Sequence, residues 1–152
     1  MPTITPSYLY TIVAILAVTT LLTVSFTTYT EAFRSTSELT QLKNLMNYVA
    51  AKATELSTLS INTNATAETF LQMPTTIGNK AYWLQLRNDT TKTWIEGGFG
   101  DTPTNTSEIR VYLPSEAKAT GHYKSGYGAA HVKCYVDSQT LQILLESTAE
   151  SK

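Results

Sequence analysis

His122, His131 and Cys134 are the only soft metal ligands in this 152-residue chain. In "AAHVKCYV", strand alternation places Ala130, Val132, Cys134 and Val136 on one face and His131, Lys133 and Tyr135 on the other. Cys134 therefore points away from His131, and three ligands stay one short of a closed zinc site. The expectation is a buried structural cysteine beside an exposed histidine, with no metal. A single cysteine also excludes an intrachain disulfide. Asp89 and Asp101 fall in turn-like stretches, where aspartate accepts bonds from its own backbone. "GGFG" lacks the strand–turn–helix setting of a dinucleotide site and reads as a bend or bulge. There is no nucleophile elbow, no HExxH and no phosphate loop, so neither catalysis nor a cofactor is expected.

Two surface chemistries are better represented. N-glycosylation sequons occur as "NAT" at Asn64, "NDT" at Asn88 and "NTS" at Asn105. All three fall in predicted loops or turns, where a glycan is sterically tolerated, and they lean towards an exported domain. Tyr82, Trp83, Trp94, Phe99, Tyr112, Tyr123, Tyr127 and Tyr135 add a large aromatic load. Core packing accounts for part of it. Trp83 and Trp94 are expected to look outward on one hairpin and to mark a contact face for another subunit or a surface layer.

The composition suits such a surface. Charged residues are only 15% of the chain and the net charge is −1, with a pI near 6.1, which argues against a nucleic-acid surface. Thr, Ser and Asn solvate the chain in place of charge, a habit associated with extracellular proteins. The mean hydropathy of −0.11 averages an apolar N-terminus with a polar remainder.

Those residues need elements to hold them. The first thirty residues carry no Asp, Glu, Lys or Arg. Residues 8–29 are Leu, Ile, Val, Ala, Phe and Thr with one Ser, and have Tyr8, Tyr10 and Tyr29 at the ends, without Gly or Pro. As a helix they span about 33 Å, enough for roughly 30 Å of hydrocarbon. Buried Thr hydroxyls can bond the carbonyl four residues back. A cleavable secretory signal is not expected, because "MPTITPS" has no basic residue and "TVSFTTYTEAF" no small-x-small site. Arg34, Lys43 and Lys52 follow the span, so the positive-inside rule by itself would leave the C-terminal part cytoplasmic.

Beyond residue 29 the pattern becomes amphipathic. Leu39, Leu42, Met46, Val49, Ala53 and Leu56 recur at spacings of three and four, with Glu38, Gln41, Lys43, Asn44 and Lys52 mostly off that stripe. One helix is expected through residue 59, its amphipathic part (30–59) packing on a following domain or pairing with neighbouring copies. From about residue 65 the period shortens to two. "YWLQLR" and "KTWIE" form the clearest hairpin across "NDTT", with Thr93 facing Leu86 and Ile95 facing Leu84. "EIRVYL", "HYKSGYGAAHVKCYV" (interrupted near Gly126 and Gly128) and "QTLQILL" (across "DS") add strands, with "ETFLQMP" as a further one. The expected fold is α+β. A long N-terminal helix (1–59) precedes a head of five to seven short antiparallel strands (65–147), and 148–152 form a flexible tail.

An apolar helix that continues as an amphipathic helix into a β-rich head resembles the lollipop plan of type IV pilins. "YLYTIVAILAVTTLLTVSFTTYTEAF" and, more loosely, "LQMPTTIGNKAYWLQLRN" and "SGYGAAHVKCYV" resemble phrases of archaeal pilin-like proteins: adhesive pilins, archaellins and accessory proteins of the archaellum. The resemblance implies a homopolymeric extracellular filament whose subunits wait in the membrane before assembly. Its core would be packed by Leu9, Ile12, Val13, Leu16, Leu21, Leu22 and Phe26, and its exposed heads would touch a surface layer or a host surface. Pilin precursors carry a short basic leader, which "MPTITPS" is not, and the glutamate near the start of many bacterial pilin helices is absent. Two alternatives follow. One is an unprocessed single-span anchor whose head binds a surface-layer or motor partner; the other is a membrane-tethered enzyme.

Overall fold

The computed structural model describes residues 6–103, 109–114 and 116–149, with side chains from residue 8 onward. Asn105 and the end of the 148–152 tail lie outside the described residues. The fold is α+β. Helix α1 (Pro6–Thr63) precedes β1 (Ala67–Leu71), β2 (Tyr82–Asn88), β3 (Thr93–Phe99), β4 (Ile109–Leu113), β5 (Lys118–Lys124), β6 (Ala130–Asp137) and β7 (Thr140–Ser147). Two compact units divide the chain, Met1–Ser37 and Glu38–Lys152.

Within Glu38–Lys152 the strands form one sheet in the order β1-β6-β7-β5-β2-β3-β4. Five neighbouring pairs are antiparallel; β5 and β7 are parallel, which the sequence did not suggest. Alternate residues give the sheet one continuous apolar face. Val132, Cys134, Ile143, Leu145, Leu84, Tyr82, Tyr123 and Ile95 are all buried on it, and Leu42, Met46, Val49, Ala53 and Leu56 of α1 belong to the same core.

The helix stripe differs from expectation at its N-terminal end. Leu39 is 43% exposed, whereas Glu38 is 3% exposed. Counting back from Leu56 by threes and fours through Ala53, Val49, Met46 and Leu42 reaches position 38 as readily as 39, and a 3.6 period selects 38. The carboxylate is tolerated there because Lys80 Nζ lies 2.6 Å from Glu38 Oε2. Gly78, at φ +63°, lets the loop pass so close that a Cβ would overlap the Glu38 carboxylate. The helix also outlasts its expected end at residue 59. Ser60 donates to Ala65 O at 2.6 Å, and its Oγ also lies 3.2 Å from Cys134 O. Asn64 takes the left-handed conformation (φ +50°) that closes a helix.

Four strand expectations need correction. In the β2–β3 hairpin Ile95 faces Leu86, and Thr93 faces Asn88, two residues from the expected pairing. The even shift keeps every side chain on its face. It follows from a tight turn: Asp89 N–H bonds Lys92 O at 2.9 Å, and Asp89 Oδ1 accepts from the Thr91 and Lys92 N–H groups at 2.8 and 2.7 Å. "GGFG" is not a bend at its start, because Gly97 and Gly98 lie inside β3. A Cβ on Gly97 would sit 2.9 Å from Met46 Sδ, and one on Gly98 would sit 2.8 Å from the Trp83 ring, so close approach explains both. Trp83 does project from the outer face, yet it is 1% exposed because its indole lies in the space that Gly98 leaves. Finally, β5 begins at Lys118, ahead of the expected strand. Gly121 (φ +105°) replaces a large apolar residue there, since a Cβ would overlap the Leu145 carbonyl oxygen.

Candidate functional site

Two surfaces carry unusual chemistry, one in each compact unit. The first is the N-terminal stretch of α1. Every residue from 8 to 36 is exposed, including Leu9, Ile12, Val13, Leu16, Leu21, Leu22 and Phe26. Tyr8, Tyr10, Ile15, Val18, Val24, Tyr29 and Phe33 are exposed alongside them, so the apolar character encircles the helix rather than following one stripe. The most apolar 18-residue window has a mean hydropathy of 2.1 and none of it is buried.

The hydroxyl groups on this stretch do not make it polar. Thr19, Thr20, Thr23, Ser25, Thr27, Thr28 and Thr30 each donate to the carbonyl four residues back, at 2.8–3.0 Å. Each side chain then presents mainly carbon outward, and no hydroxyl among them needs water or a partner. Such back-bonding is compatible with a lipid or protein-packed surrounding.

The second surface is the outer face of β2, β3 and β4. The register aligns Arg87, Trp94 and Tyr112 in one row and Gln85, Glu96 and Arg110 in the next. Glu96 is 4% exposed although it projects from the outer face. Its own neighbours bury it: Arg110 Nε lies 3.0 Å from Oε1, Arg87 Nε lies 3.0 Å from Oε2, and Trp94 Nε1 donates to Oε1 at 2.8 Å. The Arg110 guanidinium lies 5.4 Å from the Trp94 ring centre and Lys92 Nζ lies 5.7 Å from that of Tyr112. Alternation located the outward side of this hairpin, but not the clustering of two arginines on one carboxylate; that needed the β3–β4 register.

The remaining candidates are structural. Cys134 is fully buried, its Sγ 3.7 Å from Ser57 Oγ, and burial pushes its thiol up. His131 stacks on Phe70 with ring centres 4.5 Å apart, and its Nε2 lies 3.3 Å from Glu68 Oε2. Backbone N–H groups of Thr91 and Lys92 hold the Asp89 carboxyl below its ordinary value. Asp101 pairs with Lys124 at 3.2 Å. No three of His, Cys, Asp and Glu converge on a metal-sized site among the described residues. Asn64 and Asn88 are both exposed. Asn88 Oδ1 accepts from Ala119 N–H at 3.2 Å, beside a hollow of about 630 Å³ lined by Asp89, Lys92, Lys118, Gln139 and Leu141 among others. Compared with protein-family models, curated proteins and solved structures, the chain finds no match.

Proposed function

We propose that this chain is a structural subunit of an archaeal type IV pilus-like extracellular filament. It polymerises through the N-terminal apolar stretch of α1, with the β-rich unit exposed for adhesion. One observation carries the reading: residues 8–36 bury no side chain, although 8–29 are uncharged and their Ser and Thr hydroxyls from 19 onward bond the helix itself. Removing each large apolar side chain from water is worth about 1.5–3 kcal/mol, so this surface acts as a strong sticky segment in solvent. Copies of the same helix satisfy it in a filament, and a bilayer satisfies it before assembly. The resemblance of "YLYTIVAILAVTTLLTVSFTTYTEAF" to archaeal pilin-like proteins favours the filament as the final state.

A single-span membrane anchor is the second reading. It is favoured by the length and hydropathy of the apolar window and by Tyr8, Tyr10 and Tyr29 near its ends. Surface shearing of native cells followed by negative-stain microscopy and mass spectrometry separates the two. The filament predicts the chain in sheared fibres; finding it in membranes and never in fibres overturns the filament.

A further inference from the structure

We propose that the outer face of β2, β3 and β4 binds a carboxylated polysaccharide through Tyr112, Lys92, Arg110 and Arg87, organised around the buried Glu96. The site is built before any ligand arrives. Glu96 is 4% exposed, and each of its oxygens lies 3.0 Å from the Nε of one arginine. A guanidinium has five N–H donors in a planar fork. Pairing at Nε leaves terminal N–H groups for another acceptor. Gln85 takes a further bond from Arg87 Nη2 at 3.2 Å. The side chains of Arg87 and Arg110 nevertheless remain 39% and 46% exposed.

Charge and shape select the ligand class. Two arginines against one carboxylate leave one positive charge, and Lys92, partly balanced by the nearby Asp89, adds a cation at the rim. The cations lie over flat rings, Arg110 over Trp94 and Lys92 over Tyr112; the two ring centres are 6.2 Å apart at 54°, and Tyr112 is 56% exposed. A pyranose has an apolar C–H face that lies on such a ring and a rim of hydroxyl and carboxyl groups that reaches the flanking cations. Arginine forks match carboxylates, and Glu96 pairs with one Nε of each arginine. Arg110 and Tyr112 are exposed along β4, so an extended chain of repeating sugars suits this strand surface better than one enclosed monosaccharide. A polynucleotide suits it less. The chain carries a net charge of −1, and nucleic-acid surfaces are strongly basic because they neutralise many phosphates. The site requires neither polymerisation nor a lone anchor; both readings of α1 accommodate it, and its failure would leave them standing.

The test is binding of the full-length chain, in detergent micelles, to immobilised polygalacturonate. Controls are the same polymer with its carboxyls reduced to alcohols and a single-stranded oligonucleotide. Binding is expected to weaken with salt, to vanish on the reduced polymer, and to fall about tenfold in each of Lys92→Gln and Tyr112→Ala. Both substitutions are at surface positions, and an unchanged far-ultraviolet circular dichroism spectrum reports an intact sheet. No binding to polygalacturonate, equal binding to the reduced polymer, unaltered binding by both variants, or tighter binding to the oligonucleotide would each overturn the proposal.

Discussion

Tyr82 and Tyr123 are buried in the core with ring centres 6.2 Å apart, and each spends its hydroxyl on a backbone carbonyl: Pro74 at 2.7 Å and Gly128 at 3.0 Å. Burial raises both phenols above their ordinary 10.0. The unfolded chain loses these protons at the ordinary value while the folded chain still holds them. The stabilisation is therefore complete below pH 10.0 and disappears as pH climbs through the higher folded values. Denaturation followed by tryptophan fluorescence should show stability declining above that pH. Tyr82→Phe should lose about 1 kcal/mol at neutral pH, for one hydrogen bond, and decline less steeply in alkali. At this scale the sequence was legible in part. Alternation put Cys134 and His131 on opposite faces, as they are. It expected Trp83 to mark an outward contact face, whereas the space over Gly98 buries it. Side and cover are separate questions, and only the first is local.

At the scale of elements, α1 shows how a period decides a contact. Leu42 and Met46 are fully buried, while Leu39, equally leucine and three residues earlier, is not. Leu42→Ala should cost about 2–5 kcal/mol and Leu39→Ala less than about 1, read from urea denaturation midpoints. Equal losses would mean that the helix meets the sheet on a different face. The helix itself was plain from the absence of Gly and Pro, and six of the seven strands lay near the segments named for them. The β5 start was missed because "KATG" presents Ala119 and Gly121 to the core, and small residues give no alternation to detect. Their smallness answers to β7, which comes later in the chain and runs parallel against them.

At the scale of the whole molecule, assembly and head stability should be separable. Leu16→Asp puts a charge in the middle of the apolar stretch, at a cost of about 2.5–3.5 kcal/mol in a membrane centre. Loss of both membrane retention and sheared fibres is expected. Meanwhile the unit Glu38–Lys152, which holds both tryptophans, should keep its denaturation midpoint, because position 16 lies in the other unit. Fibres of undiminished yield from Leu16→Asp would remove this segment from the filament core.

Hydropathy and periodicity are properties of neighbours along the chain, so the sequence alone was enough to establish the uncharged helix, its amphipathic continuation and a β-rich remainder. Strand order, the parallel β5–β7 pair, the salt-bridged burial of Glu38 and the two arginines on Glu96 depend on residues far apart in sequence. Glu38 meets Lys80 across 42 positions, and Glu96 meets Arg110 only through the register of β3 on β4. A buried charge is stable only when its partner is already placed, and placing the partner is what the tertiary fold does.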